Sequence, residues 1–576
     1  MLKKNDIVKI EITDLTAEGM GVGKHEGYVL FVPKTAIGDV IMARVLKPLK
    51  SHGFAKCEQI LTKSADRVDV DCPVFTKCGG CLFRHISYEA ELKMKKSWVD
   101  EHFRRIAKLD IACDGIIPSP AETGYRNKAQ IPCGKDANGK PAFGFFASHS
   151  HRIIPCEDCA LQPAFYGKII KTTEKFMNQY GIEPYDELTH KGILRHVFIR
   201  DGRVSGEVMV CLVCNGEKIP HSEKLVQMLL ACNPKIASII LNVNKKPGNE
   251  ILGQTCITLY GKDTITDTLC GIEFDISPLS FYQVNHDGAE KLYAVAAEFA
   301  ALTEGETLLD LYCGVGTIGL SMAKNAGKLI GVEVIDAAVE NARRNAAKNG
   351  IHNATFFCAD AGKAALKLAE AGETPDVVIV DPPRKGCGED VVEAMKIMNP
   401  KRIVMVSCNS ATAARDCARL AEIGYYPTKM RAVDMFPRTG HVEAVILLSR
   451  QTNVHKMKLN AAPFEMIKSG EKTIELRLYD EKRQQIKVGD EIVFTNNTTG
   501  ETLHAEVSKL HRFDNFDELY KILPLLKCGY TIESVDKATP ADMEQYYSAE
   551  EQKKYGVVGI ELCRPKETCL ERKEIL

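Results

Sequence analysis

Residues 307–320 read TLLDLYCGVGTIGL, and the fold turns on how that stretch is read. An apolar run closes on Asp310, a glycine turn follows through Gly314, Gly316 and Gly319, and a helical run begins. That is the opening strand–turn–helix unit of a nucleotide-type α/β sheet. Tight strand–helix packing alone can also produce such a turn, so the neighbouring segments decide. Residues 329–333 (LIGVE) are a second short strand ending in a carboxylate, about where such folds hold a ribose; a third strand leads to Asp360; a fourth, 377–380, runs into Asp381-Pro382-Pro383-Arg384. Acidic residues thus end successive strands, the edge at which open α/β sheets bind ligands. The turn has neither the phosphate-cradling lysine of a P-loop nor the dinucleotide spacing, which favours a nucleoside ligand without pyrophosphate. S-adenosylmethionine fits that description. The segment 301–450 is expected to be a Rossmann-like domain, with the strand 402–406 delivering Cys408 and with His441-Val-Glu443 opening the last strand, 442–448.

Composition sets the outer bounds. The chain has 576 residues, 45% hydrophobic and 26% charged, enough for three or four ordinary globular domains. The first ten residues are polar and charged, and no apolar stretch is long enough to span a bilayer. A cytoplasmic monomer without a membrane partner is expected, and its 21 cysteines imply metal binding or a nucleophile rather than a disulfide framework. With a net charge of −1, nucleic-acid binding has to come from local patches.

Residues 1–62 alternate β-branched runs with glycine turns, the pattern of a small β-barrel. Residues 63–300 read as an α+β region. It opens with Cys72, Cys78 and Cys81, whose CxxxxxCGGC spacing can converge on one metal centre; Cys156 and Cys159 offer a fourth ligand, and spacing leaves zinc and an iron–sulfur cluster both open. Tyr125-Arg126-Asn127 place an aromatic, a cation and an amide together, suited to a base stack and phosphate contacts. The run 192–200 predicts a strand with one charged face, carrying Arg195. Phe281 and Gln283 fall on one face of an extended segment before a helix expected at 289–300. After a linker, 457–565 forms a second small β-rich unit.

The strand ends also suggest a chemistry. A methyl donor beside the thiol of Cys408 and the carboxylates of Asp381 and Glu443 suits methylation of a carbon that is not itself nucleophilic, such as C5 of a pyrimidine. Thiolate addition at C6 makes C5 nucleophilic, C5 bonds to the donor methyl as its bond to the donor sulfur breaks, and a base then removes the C5 proton so that the thiolate is eliminated.

The motifs DLYCGVGTIGL, DPPRKG, SCNS and GHVEAV, with SFYQVN, GYRNKAQ and CGGC, resemble the RNA uracil-5-methyltransferase family over roughly residues 1–450. The resemblance implies Cys408 as nucleophile, Glu443 as base and Asp381 as a partner of the uracil, with Gln283, Tyr312, Thr317, Glu333, Asp360 and Asp381 around S-adenosylmethionine. It implies a 4Fe–4S cluster on Cys72, Cys78, Cys81 and Cys159; Cys156 has no counterpart in the family pattern. Phe281, Tyr125, Arg126 and Asn127 are the expected RNA contacts. Tyr312 stands where Phe is frequent, and SCNS replaces the commoner SCNP. The first 62 residues resemble a TRAM domain, an RNA-binding barrel, and the tail resembles an ASCH domain, a PUA-like barrel, through Gly470, Lys472, Glu475 and Arg477. TRAM plus cluster cysteines resembles the members acting on 23S rRNA, with transfer RNA the alternative target. A competing class is a non-catalytic RNA-binding or ribosome-assembly factor, against which intact Cys408 and Glu443 argue.

Overall fold

The computed structural model describes residues 2–563 apart from 137, 149 and 452; the last two residues of the expected tail unit, 564 and 565, lie outside them. Among the described residues the chain forms two compact units, 1–449 and 450 onward.

The first unit opens with a closed five-stranded barrel, Ile7–Leu15, Met20–His25, Tyr28–Pro33, Val40–Pro48 and His52–Thr62. Its inward positions alternate along each strand, so that Val8, Ile10, Ile12, Leu30, Val32 and Ile41 fill it. Gly21 and Gly23 are required there: a Cβ would lie 1.9 Å from the Thr35 hydroxyl in one case and 2.6 Å from the Glu11 carbonyl in the other. A seven-stranded sheet follows, in the order Thr255–Gly261, Ile236–Val243, Val208–Cys214, Leu194–Asp201, Lys128–Lys135, Pro141–Phe146, Ile153–Pro155. One face of it is covered by the helices Phe165–Tyr180 and Ser222–Cys232. The other face shares a single apolar core with the hairpin strands Ile265–Leu269 and Ile272–Ile276, the helix His286–Ala300 and the third sheet.

That third sheet has eight strands, ordered Ala354–Cys358, Lys328–Glu333, Thr307–Leu311, Val377–Val380, Arg402–Ser407, Glu443–Arg450, Tyr425–Val433, Ile116–Ile117. Its first five are parallel, and the inner four of these read as short apolar runs because both their faces are buried, whereas the edge strand Ala354–Cys358 buries only Phe356. Glu443–Arg450 runs antiparallel beside Arg402–Ser407, in a register that pairs Ser407 with Ala444. Cys408 and Glu443 therefore emerge side by side although 35 residues apart, the difference of their numbers. The second unit is a five-stranded sheet around Met457, Phe464, Ile492, Phe494 and Ile560.

Three expectations need correction. The strand around 192–200 has no charged face: all of Leu194–Asp201 except His196 is buried. Arg195 and Arg200 spend their guanidinium groups on backbone carbonyls, Arg200 on those of Ser277 and Ser280 at 2.8 and 3.0 Å. The helix expected at 289 begins at His286, because the Asn285 side chain caps it by accepting from the Gly288 amide at 3.0 Å. Phe281 and Gln283 do not share a face, since their segment is irregular; Phe281 is 64% exposed while Gln283 is buried.

Candidate active site

The glycine turn after Thr307–Leu311 is held by its own backbone. Tyr312, Gly314 and Gly316 all have positive φ, 66°, 56° and 85°, a conformation that suits glycine and strains a tyrosine. The Gly319 amide donates to Asp310 Oδ2 at 2.9 Å, and a Cβ on Gly319 would lie 2.7 Å from that same oxygen. Burial pushes the Asp310 carboxyl up to about 7. Glu333 closes the next strand and turns onto the same loop: its carboxylate accepts from the amides of Val334, Ile335 and Gly314 at 2.8–3.1 Å. Asp360 caps the helix Ala361–Glu370 through the Lys363 amide and stays exposed. Val334 and Ile335, next to Glu333, are exposed aliphatic side chains at the same edge. In the sequence they are marked only as two apolar residues between a strand-end carboxylate and a helix start.

At the centre of the edge, Asp381, Cys408 and Glu443 come together. Burial pushes Asp381 up to about 7. It pushes Glu443 up to about 8, with Asp381 adding to the shift and Arg384 opposing it. Cys408 is half-buried, and its thiol is raised by burial and by the two carboxyls, while Arg384 hydrogen-bonds it and pulls the other way. Arg384 had no expected role at the thiol; it is the cation there. Asn409 caps the helix Ser410–Glu422 and also donates to the Arg384 carbonyl at 3.3 Å, tying the thiol loop to the Asp-Pro-Pro-Arg loop.

A second unforeseen residue is Tyr293, buried on the helix His286–Ala300. Its hydroxyl donates to Thr317 Oγ1 at 3.1 Å, and it also hydrogen-bonds Gln283 and lies beside Asp381. Gln283, Thr317 and Asp381 thus share one neighbourhood. Tyr312 lies near Asp360 and Gly388.

The expected RNA contacts divide. Phe281 is free at the surface. Tyr125 is buried at 5% exposure with its hydroxyl donated to the Pro437 carbonyl at 3.0 Å, so it braces the loop before Glu443 and presents no stacking face. Asn127 is likewise buried and donates to the Gln283 carbonyl at 3.0 Å. Arg126 reaches a different feature, a cavity of about 80 Å³ lined by Cys72, Cys78, Cys81, Cys156 and Cys159. Burial raises Cys81 and Cys156 to about 12, each raised further by neighbouring thiols. Cys156 therefore joins the four expected cysteines. Among the described residues no three His, Cys, Asp or Glu side chains are close enough to grip one metal ion; the thiols ring a void rather than close on a point.

Comparison with known proteins bears on this geometry directly. Three family models match: TRAM domain over residues 2–56, tRNA (Uracil-5-)-methyltransferase over 262–451, and ASCH domain over 457–566. An uncharacterized RNA methyltransferase of Listeria monocytogenes is 43% identical over 448 residues, 78% of this chain and 98% of its own. The chain belongs to the RNA uracil-5-methyltransferase family. An RNA methyltransferase of Halalkalibacterium halodurans, also uncharacterized, is 42% identical over the same shares of the two chains. The solved tRNA (uracil-54, C5)-methyltransferase of Pyrococcus abyssi, in complex with S-adenosyl-L-homocysteine, is 28% identical, covers 77% of this chain and 100% of its own, and superposes with a TM-score of 0.63. As members of this family are, the protein is an RNA methyltransferase. No helix among the described residues is long and apolar enough to cross a membrane.

Proposed function

We propose that the protein transfers a methyl group from S-adenosylmethionine to C5 of a uridine in RNA through a covalent Cys408 adduct. The observation that carries this reading is the convergence of a thiol, its cation and two buried carboxyls at the ends of three neighbouring strands, Val377–Val380, Arg402–Ser407 and Glu443–Arg450. Bound at the edge, S-adenosylmethionine supplies an electrophilic methyl group. The protein's residues do the rest. The glycine turn, Glu333, Asp360 and the aliphatic pair Val334–Ile335 bound the nucleoside end, and Gln283, Tyr312, Thr317 and Asp381 bound the reacting end. Arg384 favours the Cys408 thiolate, whose sulfur forms a bond to C6 as the C5–C6 double bond opens. Asp381, kept near neutrality by burial, can hydrogen-bond the uracil. After methyl transfer Glu443 takes the C5 proton, the double bond re-forms, and the C6–sulfur bond breaks to return the thiolate. The raised Glu443 suits a base that must hold a proton briefly at neutral pH.

The five-thiol cavity fits a 4Fe–4S cluster held by Cys72, Cys78, Cys81 and Cys159. Anaerobically purified protein is expected to be brown with roughly four irons per chain, and Cys72→Ser to lose both iron and colour; a colourless protein holding one zinc refutes the assignment.

The barrel and the cysteine set support 23S rRNA as the target. Transfer RNA is the second reading, favoured by the name of the Pyrococcus enzyme. Mapping 5-methyluridine in both RNAs from cells with and without the protein separates them. The mechanism itself is tested with RNA carrying 5-fluorouracil, which cannot release its C5 substituent. Wild type should form an adduct stable on denaturing gels, and Cys408→Ala should form none while keeping its S-adenosylmethionine affinity. Methylated product from Cys408→Ala ends the proposal.

A further inference from the structure

The seven-stranded sheet carries a second cavity, of about 460 Å³, at the end of the strand Leu194–Asp201 remote from Gln283. Its volume is that of an ordinary small-ligand pocket, and no step of methyl transfer uses it. A β-bulge between Leu194 and His196 breaks the register of the strand, so Arg195 and His196, which regular pleating would send to opposite faces, both line the cavity. Arg195 is 4% exposed; three of its hydrogen bonds go to the carbonyls of Asn244, Lys246 and Gly248, but its Nε has no partner. His196 Nδ1 has none either. Burial beside Arg195 lowers His196 to about 4, so the ring is neutral at pH 7 and offers one donor and one acceptor. Unpaired buried polar atoms are costly unless a ligand completes them.

The walls are planar. The Arg195 guanidinium lies 4.4 Å from the centre of the Tyr185 ring, and His151 stacks on Phe146 at 5.2 Å and 27°. The acidic groups at the rim are already engaged: Asp186 accepts from the amides of Leu188 and Thr189, and Glu187 pairs with His151 at 2.8 Å. Arg152 lines the cavity from an exposed position, with no ion pair among the described residues. Flat π surfaces, an unsatisfied hydrogen-bonding edge and a rim cation are the features that hold a nucleobase and its phosphate.

We propose that this cavity binds a single unstacked nucleotide, supplied by the substrate RNA away from the target uridine. His196 and Asp201 are five residues apart on an extended strand, about 17 Å. The Asp201 amide donates to the Asn127 carbonyl, and Asn127 to the Gln283 carbonyl, both at 3.0 Å, so one strand links the cavity to the wall of the methyl-transfer site. A nucleotide held here would fix the register of the RNA. The inference rests on the RNA reading above, but its test involves no methyl transfer, so the two can fail separately.

The test is near-ultraviolet crosslinking of wild-type protein to structured RNA carrying 4-thiouridine or 6-thioguanosine at positions flanking the target loop, with the crosslinked peptides mapped. Crosslinks to the segments 146–152 or 184–196 are expected. His196→Phe, which keeps a ring but removes its polar edge, and Arg152→Gln at the rim should each weaken RNA binding about five-fold, the scale of one lost hydrogen bond or phosphate contact, with unchanged S-adenosylmethionine affinity. AMP, GMP, CMP and UMP are titrated separately by calorimetry: a mononucleotide that binds wild type but not His196→Phe, without RNA crosslinks at these segments, reassigns the cavity to a free nucleotide. No crosslink there together with no mononucleotide binding at about 1 mM overturns the proposal.

Discussion

Glu443 and Cys408 divide the chemistry between them, and their surroundings say how. Cys408 is half-buried with a cation on it; Glu443 is buried with its carboxyl raised to about 8. Under the proposed mechanism, addition and methyl transfer need only the thiol, whereas release needs the carboxylate. Glu443→Gln should therefore accumulate a covalent, methylated RNA–protein complex on unmodified uridine RNA, which wild type does not. Mass spectrometry of the complex checks that the methyl is present; free 5-methyluridine product at wild-type rate shows that another group is the base.

At the scale of elements, the decisive piece is the loop 434–442 that leads into Glu443. It is held by the helix Tyr88–His102, whose Lys95 is fully buried with Nζ 2.8 Å from Asp434 Oδ1, 2.7 Å from Glu91 Oε1 and 3.1 Å from the Phe436 carbonyl. Tyr88 adds a hydrogen bond to Asp434 Oδ2 at 2.9 Å, and the Arg438 amide donates to Glu91 at 2.7 Å. Residues next to the cysteines join in: the amide of Leu82, which follows Cys81, donates to the Arg438 carbonyl at 2.8 Å. Lys95→Met would leave buried Asp434 without its cation and Glu91 with only Arg438, 3.5 Å away, a loss of about 3–5 kcal/mol for a broken buried pair. Urea unfolding of this variant should show that loss, and turnover should fall more than S-adenosylmethionine affinity because the disturbed loop carries Glu443 and not the donor site. An unchanged unfolding midpoint would mean that the network is not stabilising.

For the whole molecule, the shared core between the seven- and eight-stranded sheets makes stability and catalytic protonation one problem. Glu443 holds its proton to about pH 8 in the folded chain but loses it near its ordinary value, 4.5, when unfolded. Between those values the folded state binds more protons, so this group's stabilising contribution is complete below pH 4.5 and is lost as pH rises through 8. The stability of wild type relative to Glu443→Gln should accordingly fall across pH 5–8, with a slope of at most about 1.4 kcal/mol per pH unit. Paired urea titrations at several pH values measure it, and parallel curves for the two proteins would show that Glu443 is not raised.

Much of this protein was legible locally. Strand periodicity, the glycine turn and the acidic strand ends are properties of contiguous residues, so the α/β sheet and its binding edge follow from sequence, as do the barrel's alternation and the chemical identities of Cys408 and Glu443. Folding decided the rest, because burial and pairing join residues far apart in the chain. Tyr125 and Asn127, expected at the RNA, and Arg195, expected on a charged strand face, are internal braces, as is Arg200, because the backbone offers them carbonyls. Tyr293, a buried position on its helix, brings a hydroxyl to Thr317. Cys156 reached the thiol cavity and Arg384 reached Cys408. Residue type supplies a charge or a hydroxyl; only the packed structure determines whether water, a carbonyl or a substrate will meet it.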